Sequence, residues 1–469
     1  MRAAAGIPGR SPGAVTGGGQ GQYMALTVTV VAIIVIFSLL PMLRLLQETI
    51  FPGGRFSLDA IRGGLGDPTV WRATRNSMVV GIGGTVLAVV LGIAFALIVT
   101  LSNVRGRGWL VLCFVTPLMI APQVTALSWL QLFGPASPLL NMLGIAPPLG
   151  ARNPLYSAGG IVFLLGLSYA PLVFLIVRAG LRKLPRELVE AAQSSGAGWF
   201  TVMRTVILPL MTPAIVASSA LTFVSCIGNF GIPAFLGIPA NYLVLPTLIF
   251  QRLAGGGPAV LSDVAFLSAF IGIIAMAGIL MQNRISARRD YRITGSSLPA
   301  APYVLGRWRV PVEGLLWLFM FVILVLPMIG LVLTSLMRGH GIMPSWETVT
   351  MVNYQFVLFE HAATRRAFVN SLFLASTAAA FAIIVAIPLG YLIAWGNSRW
   401  IRALNLTVEL PYALPGVVLA IAAILMFLKP LPLVGIQLYN TIWIILFAYL
   451  ARFLVLAVRP TVNGYLQLD

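Results

Sequence analysis

The stretch of this sequence best suited to do work runs from 184 to 213, LPRELVEAAQSSGAGWFTVMRTVILPLMTP. Glu190, Ala191 and Ala192 are followed after three residues by Gly196, after nine more by Val206, and after one more by Leu208 and Pro209. Pro185 stands where a helix starts, and Glu187 falls in its first turn, facing the partial positive charge of the helix N-terminus. Leu188, Val189, Ala191 and Ala192 supply an apolar side, and Gly196 is placed to end the helix in a sharp turn. A second short helix is expected from Trp199 toward Leu208 and Pro209. The product would be a compact knob of two short helices bent around a glycine. The competing reading is a plain surface helix with a glycine cap.

Other residues able to do chemistry are few and scattered. Cys113 and Cys226 both sit inside apolar runs, so they read as small buried side chains and not as a disulfide or zinc framework. The two lysines, Lys183 and Lys429, stand outside any G-x-x-x-x-G-K-[ST] setting, so this chain has no phosphate-cradling loop for ATP. His340 and His361 share the stretch 338–369 with Glu347, Glu360 and Tyr354, but without metal-ligand spacing they read as solvated loop residues, and no metal site is expected. Glu409 and Arg452 are the charges placed deepest in apolar runs, where a charge is costly and faces a partner or a cavity. An ion pair between neighbouring helices and a place on a transport path are both open to them. Asn229, in CIGNFGIPAFLGIPA, sits in a Gly/Pro-interrupted run of the kind that exposes backbone to a substrate path, or that simply ends a helix.

These residues lie in a chain of 469 residues that is 59% hydrophobic and 9% charged, against roughly 25% charged in ordinary soluble domains. A soluble enzyme is excluded on that ground. Nucleic acid is not an expected partner either, because the +18 net charge is broken up between apolar runs and does not form one basic face. Residues 1–23, rich in Gly, Pro and Ala, read as a flexible cytoplasmic tail. The run from Met24 to Leu46 is about 34 Å long as a helix, enough to cross a bilayer core of about 30 Å. Further spans are expected near 77–101, 108–133, 158–178, 206–235, 260–282, 313–337, 370–395, 402–428 and 441–458. Pro117 and Pro122 in one of these, and Pro411 and Pro415 in another, should kink or break the helix.

Arginine placement gives the orientation. Arg178, Arg182, Lys183, Arg186 and Arg204 cluster in one short loop, and Arg284, Arg288, Arg289, Arg292, Arg307 and Arg309 in another. The positive-inside rule then places 184–206 and 283–312 in the cytoplasm and 338–369 outside. A repeat also runs through the chain: Asn76-Ser77 matches Asn370-Ser371 at an offset of 294, and the same offset carries Arg105 onto Arg399 and Pro117 onto Pro411. This divides the chain into a first half at 24–282, a cytoplasmic linker at 283–312 and a second half at 313–469.

The spacing of Glu190, Ala191, Ala192, Gly196, Val206, Leu208 and Pro209 resembles the EAA loop of binding-protein-dependent ABC transporter permeases, departing from that pattern only by Val206 in place of Ile. The resemblance implies an all-α polytopic membrane protein of two homologous six-helix permease halves, with about ten spans present. It makes 184–209 the coupling loop that docks on a cytoplasmic P-loop ATPase dimer, Glu190 pairing with a basic or amide group, Ala191 and Ala192 permitting close approach, and Gly196 making the bend. No cofactor is expected on this chain, ATP being held by the partner subunit. The implied setting is the bacterial inner membrane, with an external or periplasmic substrate-binding protein as second partner and the lipid bilayer around the spans. The outer segment GNFGIPAFLGIPANYLVLPTLIFQ is similar to those of fused permeases of the iron(III) group, which includes thiamine, phosphonate and polyamine importers. The second half is expected to be truncated before its own EAA loop. The rival from another class is an ion-gradient-driven secondary transporter. That reading wants carboxylates at matching positions in both halves, and the position matching Glu409 is Val115.

Overall fold

The computed structural model describes residues 18–148, 150–256, 260–286, 303–339, 341–342, 345–395, 404, 407–412, 414–430, 435 and 437–467. Apolar runs with few charges have one stable form in hydrocarbon, the α-helix, because it satisfies every backbone group internally. The described residues accordingly form helices with no named strand. The helices used below are α1 (Met24–Ile50), α2 (Asp59–Gly66), α3 (Pro68–Leu101), α4 (Arg107–Met119), α5 (Pro122–Phe133), α6 (Ala158–Leu181) and α7 (Arg186–Ser194). They continue as α8 (Trp199–Ile227), α9 (Gly231–Leu236), α10 (Leu245–Gly255), α11 (Val260–Ser286), α12 (Gly306–Ser335), α13 (Ala362–Trp395), α14 (Gly416–Phe427) and α15 (Ile442–Tyr465).

Among the described residues, eight helices are long and apolar enough to cross a membrane, or nine when α4 and the residues after it count as one bent span. This is fewer than the ten spans expected. The expected span 402–428 is not one long helix: 407–412 is helical, Leu414 and Pro415 are not, and α14 has only 12 residues. The same break occurs in the first half, where α4 and the segment beginning at Pro122 meet at 102° across Ile120 and Ala121. Both of those residues are extended, as a proline at the next position requires of Ala121. Breaks and helices repeat in register. The helices α3 and α13 are both 34 residues long, α5 and α14 both 12, and each pair is offset by 294. Hydropathy underestimated α3 and α13, because their first turns carry arginines. The start of α3 is fixed instead by Asp67, whose carboxylate accepts from the Thr69 N–H at 2.7 Å, with Pro68 following.

Two compact units result, and they cut across the halves expected at 24–282 and 313–469. One comprises Leu46–Phe368 with Ala413–Ile421. Its centre is the pair α3 and α6, pressed together where small residues let backbones approach. At Gly92 a Cβ would stand 2.7 Å from the Ala170 carbonyl oxygen, so no larger residue fits without moving α6. Below this contact Phe95, Phe114 and Phe174 form a buried aromatic trio, Phe95 stacked on Phe114 at 4.0 Å. The helix α12, which begins the second half, contributes Leu316 and Met320 to this same core. Asn76 and Ser77 on α3 hold the extended chain ahead of α10: the Asn76 side-chain amide donates to the Leu243 carbonyl at 2.9 Å, and the Leu245 N–H donates to Ser77 Oγ at 2.8 Å. The other unit comprises Met1–Leu45, Val369–Tyr412 and Ala422–Asp469. Here Val30 and Ile34 of α1 are buried among Val385, Leu389, Leu454 and Val458, and Phe37 stacks on Phe447 at 4.9 Å. The first span therefore packs with second-half residues. Hydropathy alone identifies a helix but not the surface it buries against.

Candidate functional site

The knob expected at 184–209 is present, with a different construction from the one the sequence suggested. Pro185 is extended (φ −63°, ψ 131°) and precedes α7, whose first turn carries Glu187. The end of α7 is a closed turn built on backbone bonds, to which the Ser195 hydroxyl adds one by donating to the Ala191 carbonyl at 2.9 Å. The Gly196 N–H donates to the Gln193 carbonyl at 2.9 Å, and the Ala197 N–H to the Ala192 carbonyl at 3.1 Å. This is the paired bonding of a Schellman motif, with Gly196 at φ +82° supplying the left-handed residue that the motif requires. Ala192 and Ala197, the two residues that motif brings together, are both packed on the same core. The spacing from Ala192 to Gly196 is thus the spacing of a helix end.

The four residues expected to form one apolar side divide. Val189 is buried and Ala192 half-buried against the core, whereas Leu188 and Ala191 are exposed beside the exposed Glu190. The outward face therefore carries two carboxylates, Glu187 and Glu190, with a methyl and a leucine, and Phe200, 76% exposed, lies just beyond the turn. A separate second short helix is not found. Trp199 begins α8, which runs 29 residues to Ile227. One wide turn at Met203–Ile207 lies just before Leu208 and Pro209. Leu208 is half-buried, Pro209 is exposed, and Ile207 between Val206 and Leu208 is fully buried. The knob thus leads directly into a membrane-length helix.

Each residue considered for a transport path has contacts of its own. Asn229 is buried; its side-chain amide donates to the Tyr169 hydroxyl at 3.0 Å, and its side-chain oxygen accepts from the Ile232 N–H at 3.0 Å, which caps α9. The glycines on either side permit close approach: a Cβ on Gly228 would lie 2.9 Å from the Pro415 Cα, and one on Gly231 3.0 Å from the Pro122 Cβ. Asn229 therefore sits between the helix breaks of the two repeats. Glu409 is ion-paired with Arg459 at 3.2 Å, so the partner imagined for it, Arg452, is not the one it takes. The guanidinium of Arg452 lies over the Phe453 ring at 5.9 Å. Arg459 is two turns beyond Arg452 on α15, a register that sequence does not reveal.

His361 is bonded to Thr364 Oγ1 at 2.6 Å, and His340 lies outside the described residues. Among the described residues no three His, Cys, Asp or Glu side chains gather to hold a metal ion. Cys113 is half-buried and Cys226 buried, both as free thiols. A cluster that sequence reasoning missed joins Arg252 to two aspartates, Asp263 at 2.9 Å and Asp67. The Thr69 backbone N–H, with Arg252 adding to it, holds the Asp67 carboxyl below the usual carboxylate range. The three residues are spread over 196 positions, so no local pattern announces them.

Comparison with known proteins agrees with this architecture. Residues 73–294 match the sequence model of the family described as binding-protein-dependent transport system inner membrane component. An ABC transporter permease protein of Sinorhizobium fredii, y4fN, is 28% identical over 448 residues, covering 92% of this chain and 76% of that one. A ferric transport system permease protein of Haemophilus influenzae, FbpB 1, is 24% identical over 464 residues, covering 96% and 70%. Among solved structures, a bacterial ABC transporter involved in import of the acidic polysaccharide alginate aligns with a TM-score of 0.50 at 18% identity, over 58% of this chain and 96% of that one, and shares its fold.

Proposed function

We infer the function from one premise: the chain is an ABC transporter permease, its residues 73–294 belonging to the binding-protein-dependent transport system inner membrane component family. It is a multi-pass membrane protein and the permease subunit of an importer. Its work is passage and not catalysis. Beyond that premise, the knob is the site where the importer is driven. The observation that carries this reading is the outward face of α7, where Glu190 and Ala191 are exposed on a turn fixed by Gly196 and packed on the core through Ala192 and Ala197. A face held by that turn, with the small residue Ala191 beside the exposed carboxylates of Glu187 and Glu190, suits close docking in a cleft of a cytoplasmic P-loop ATPase dimer. ATP binding and hydrolysis there would move α7, and α8 would carry the movement into the bundle. Leu208 and Pro209 stand at the base of that lever. Substrate would arrive from an external binding protein at the other face of the bacterial inner membrane, and Asn229, Glu409 and Arg452 are the pathway candidates.

Iron(III) is the proposed cargo, supported by the likeness to a ferric transport permease along nearly the whole chain. The test is reconstitution of the natural gene product in proteoliposomes with its P-loop ATPase and binding protein. ATP-dependent accumulation of radioiron is expected, abolished by Glu190→Lys. Uptake driven by a proton or sodium gradient without ATPase would refute the permease mechanism. ATP-driven uptake of thiamine, phosphonate or polyamine in place of iron would refute the cargo alone.

A further inference from the structure

The segment that joins the two halves enters the described residues at Tyr303, and from there it is bonded to the loop after α3. The Tyr303 N–H donates to the Leu101 carbonyl at 2.6 Å and its carbonyl accepts from the Asn103 N–H at 3.1 Å, forming a single parallel β-bridge with Ser102. Two residues on, the Leu305 N–H donates to the Asn103 side-chain oxygen at 3.1 Å. Farther along, the Arg105 N–H donates to Glu313 Oε1 at 2.7 Å, and the same oxygen accepts from Arg309 Nε at 2.9 Å. The loop between α3 and α4 is thus tied at three places to residues 303–313. The Tyr303 ring lies against the Trp199 ring, centroids 4.7 Å apart and planes 23° apart. Trp199 is the first residue of α8, three positions after Gly196. One residue therefore touches three elements: its backbone holds the loop after α3, its ring holds the end of the knob, and the chain beyond it becomes α12.

We propose that residues 303–313 are a strap that sets the angle of the knob, with Tyr303 as the positioning residue through which the joint between the halves acts on α7. The functional part of this proposal rests on the docking role of the knob, but the mechanical part does not. A stacked ring is the contact that can be removed without breaking the strap, because the β-bridge uses only backbone atoms. The Tyr303 hydroxyl has no described partner, so phenylalanine should serve equally well. Alanine should leave the strap tied to the α3–α4 loop but release the knob from it. Any shift of α12 that moves the strap then no longer reaches the coupling face.

Two measurements on the complete protein test this. Spin labels at Gln193→Cys and Arg307→Cys, in a background with Cys113 and Cys226 changed to alanine, report the distance between knob and strap. Tyr303→Ala should broaden that distribution, and Tyr303→Phe should leave it as in the parent. With the ATPase present, substrate imported per ATP hydrolysed should fall by about twofold to tenfold in Tyr303→Ala, the range that loss of one aromatic stack can produce. Trp199→Ala should match it, and the double variant should be no worse than either single one. An unchanged label distribution in Tyr303→Ala overturns the strap. Double-variant losses that multiply, or a parent-like import ratio in Tyr303→Ala, overturn the action of the strap on the knob. Broadened labels in a protein whose parent binds no ATPase would leave the strap standing and reject the docking role.

Discussion

Gly196 and Gly198 stand two residues apart in the same loop, and the structure expects opposite responses from them. Neither would meet another atom within 4 Å if given a Cβ, so space decides nothing. Backbone conformation does. Gly196 has φ +82° whereas Gly198 is extended at φ −67°, ψ 161°. An L-residue in the left-handed region costs about 1–2 kcal/mol, which shifts a local opening equilibrium by about 5- to 30-fold. Gly196→Ala should therefore loosen the two hydrogen bonds that close α7, from Gly196 to Gln193 and from Ala197 to Ala192. Hydrogen exchange at those two amides measures the effect directly: about 5- to 30-fold faster in Gly196→Ala, and near the parent rate in Gly198→Ala. Gly196→Asn should fall between them, because asparagine tolerates the left-handed region best among the residues with a Cβ. Exchange at amides of α3 should not change, since the knob can open without disturbing the bundle. Equal acceleration by the two alanine variants, or none by either, would refute the claim that the turn conformation holds the knob.

Other substitutions separate the remaining contacts. Glu190→Lys should abolish capture of the ATPase in a pull-down while the protein still inserts and elutes as a monodisperse peak, because the charge lies on the exposed face of α7. Gly92→Leu forces a side chain into the Ala170 backbone and should destabilise the α3–α6 pair by about 1–3 kcal/mol, read as a lower midpoint of thermal aggregation in detergent. At Asp67 the carboxylate is favoured in the fold, so its contribution is complete above the ordinary aspartate value and is lost as pH falls through the lower folded value. Acid should begin to loosen the start of α3 only below about pH 4. Asp67→Asn, which keeps a capping side chain, should remove that pH dependence, and Asp67→Ala should cost a further 0.5–2 kcal/mol, roughly, in thermal stability.

The knob was legible in the sequence because its determinants are local. A helix that starts after Pro185, and a left-handed glycine four residues past Ala192, are properties of short segments, and backbone geometry enforces them wherever they occur. The breaks at Ala121–Pro122 and Leu414–Pro415 were legible for the same reason, since proline acts on the residue beside it. The repeat offset was legible because it rested on polar residues that stand out among apolar runs, whereas the starts of α3 and α13, placed too late by hydropathy, were not. What was not legible depends on helix rotation and on residues far apart in sequence. Glu409 takes Arg459 and not Arg452 because of the angle at which α15 presents its face. Phe37 and Ile34 bury against second-half residues because the packing of α1, and not its order in the chain, decides its neighbours. Tyr303 carried no signal and Trp199 only that of a helix start: an aromatic residue in a linker and another opening a helix are ordinary until a β-bridge sets them face to face.

The two hydrogen bonds that close α7 around Gly196 use main-chain atoms alone, while Ser195 adds a side-chain bond, its Oγ donating to the Ala191 carbonyl at 2.9 Å. Gln193 and Ser194, both exposed, therefore owe nothing of their side-chain identity to that closure. Their side chains are available to vary at almost no cost to folding, while the glycine and the inward-facing alanine hold the shape. On the docking role proposed for α7, a permease of this construction could be matched to a new partner by rewriting two surface positions. The shape of the turn would stay as it is, so the proposed recognition and the fold of the loop could drift separately even though they occupy one short segment.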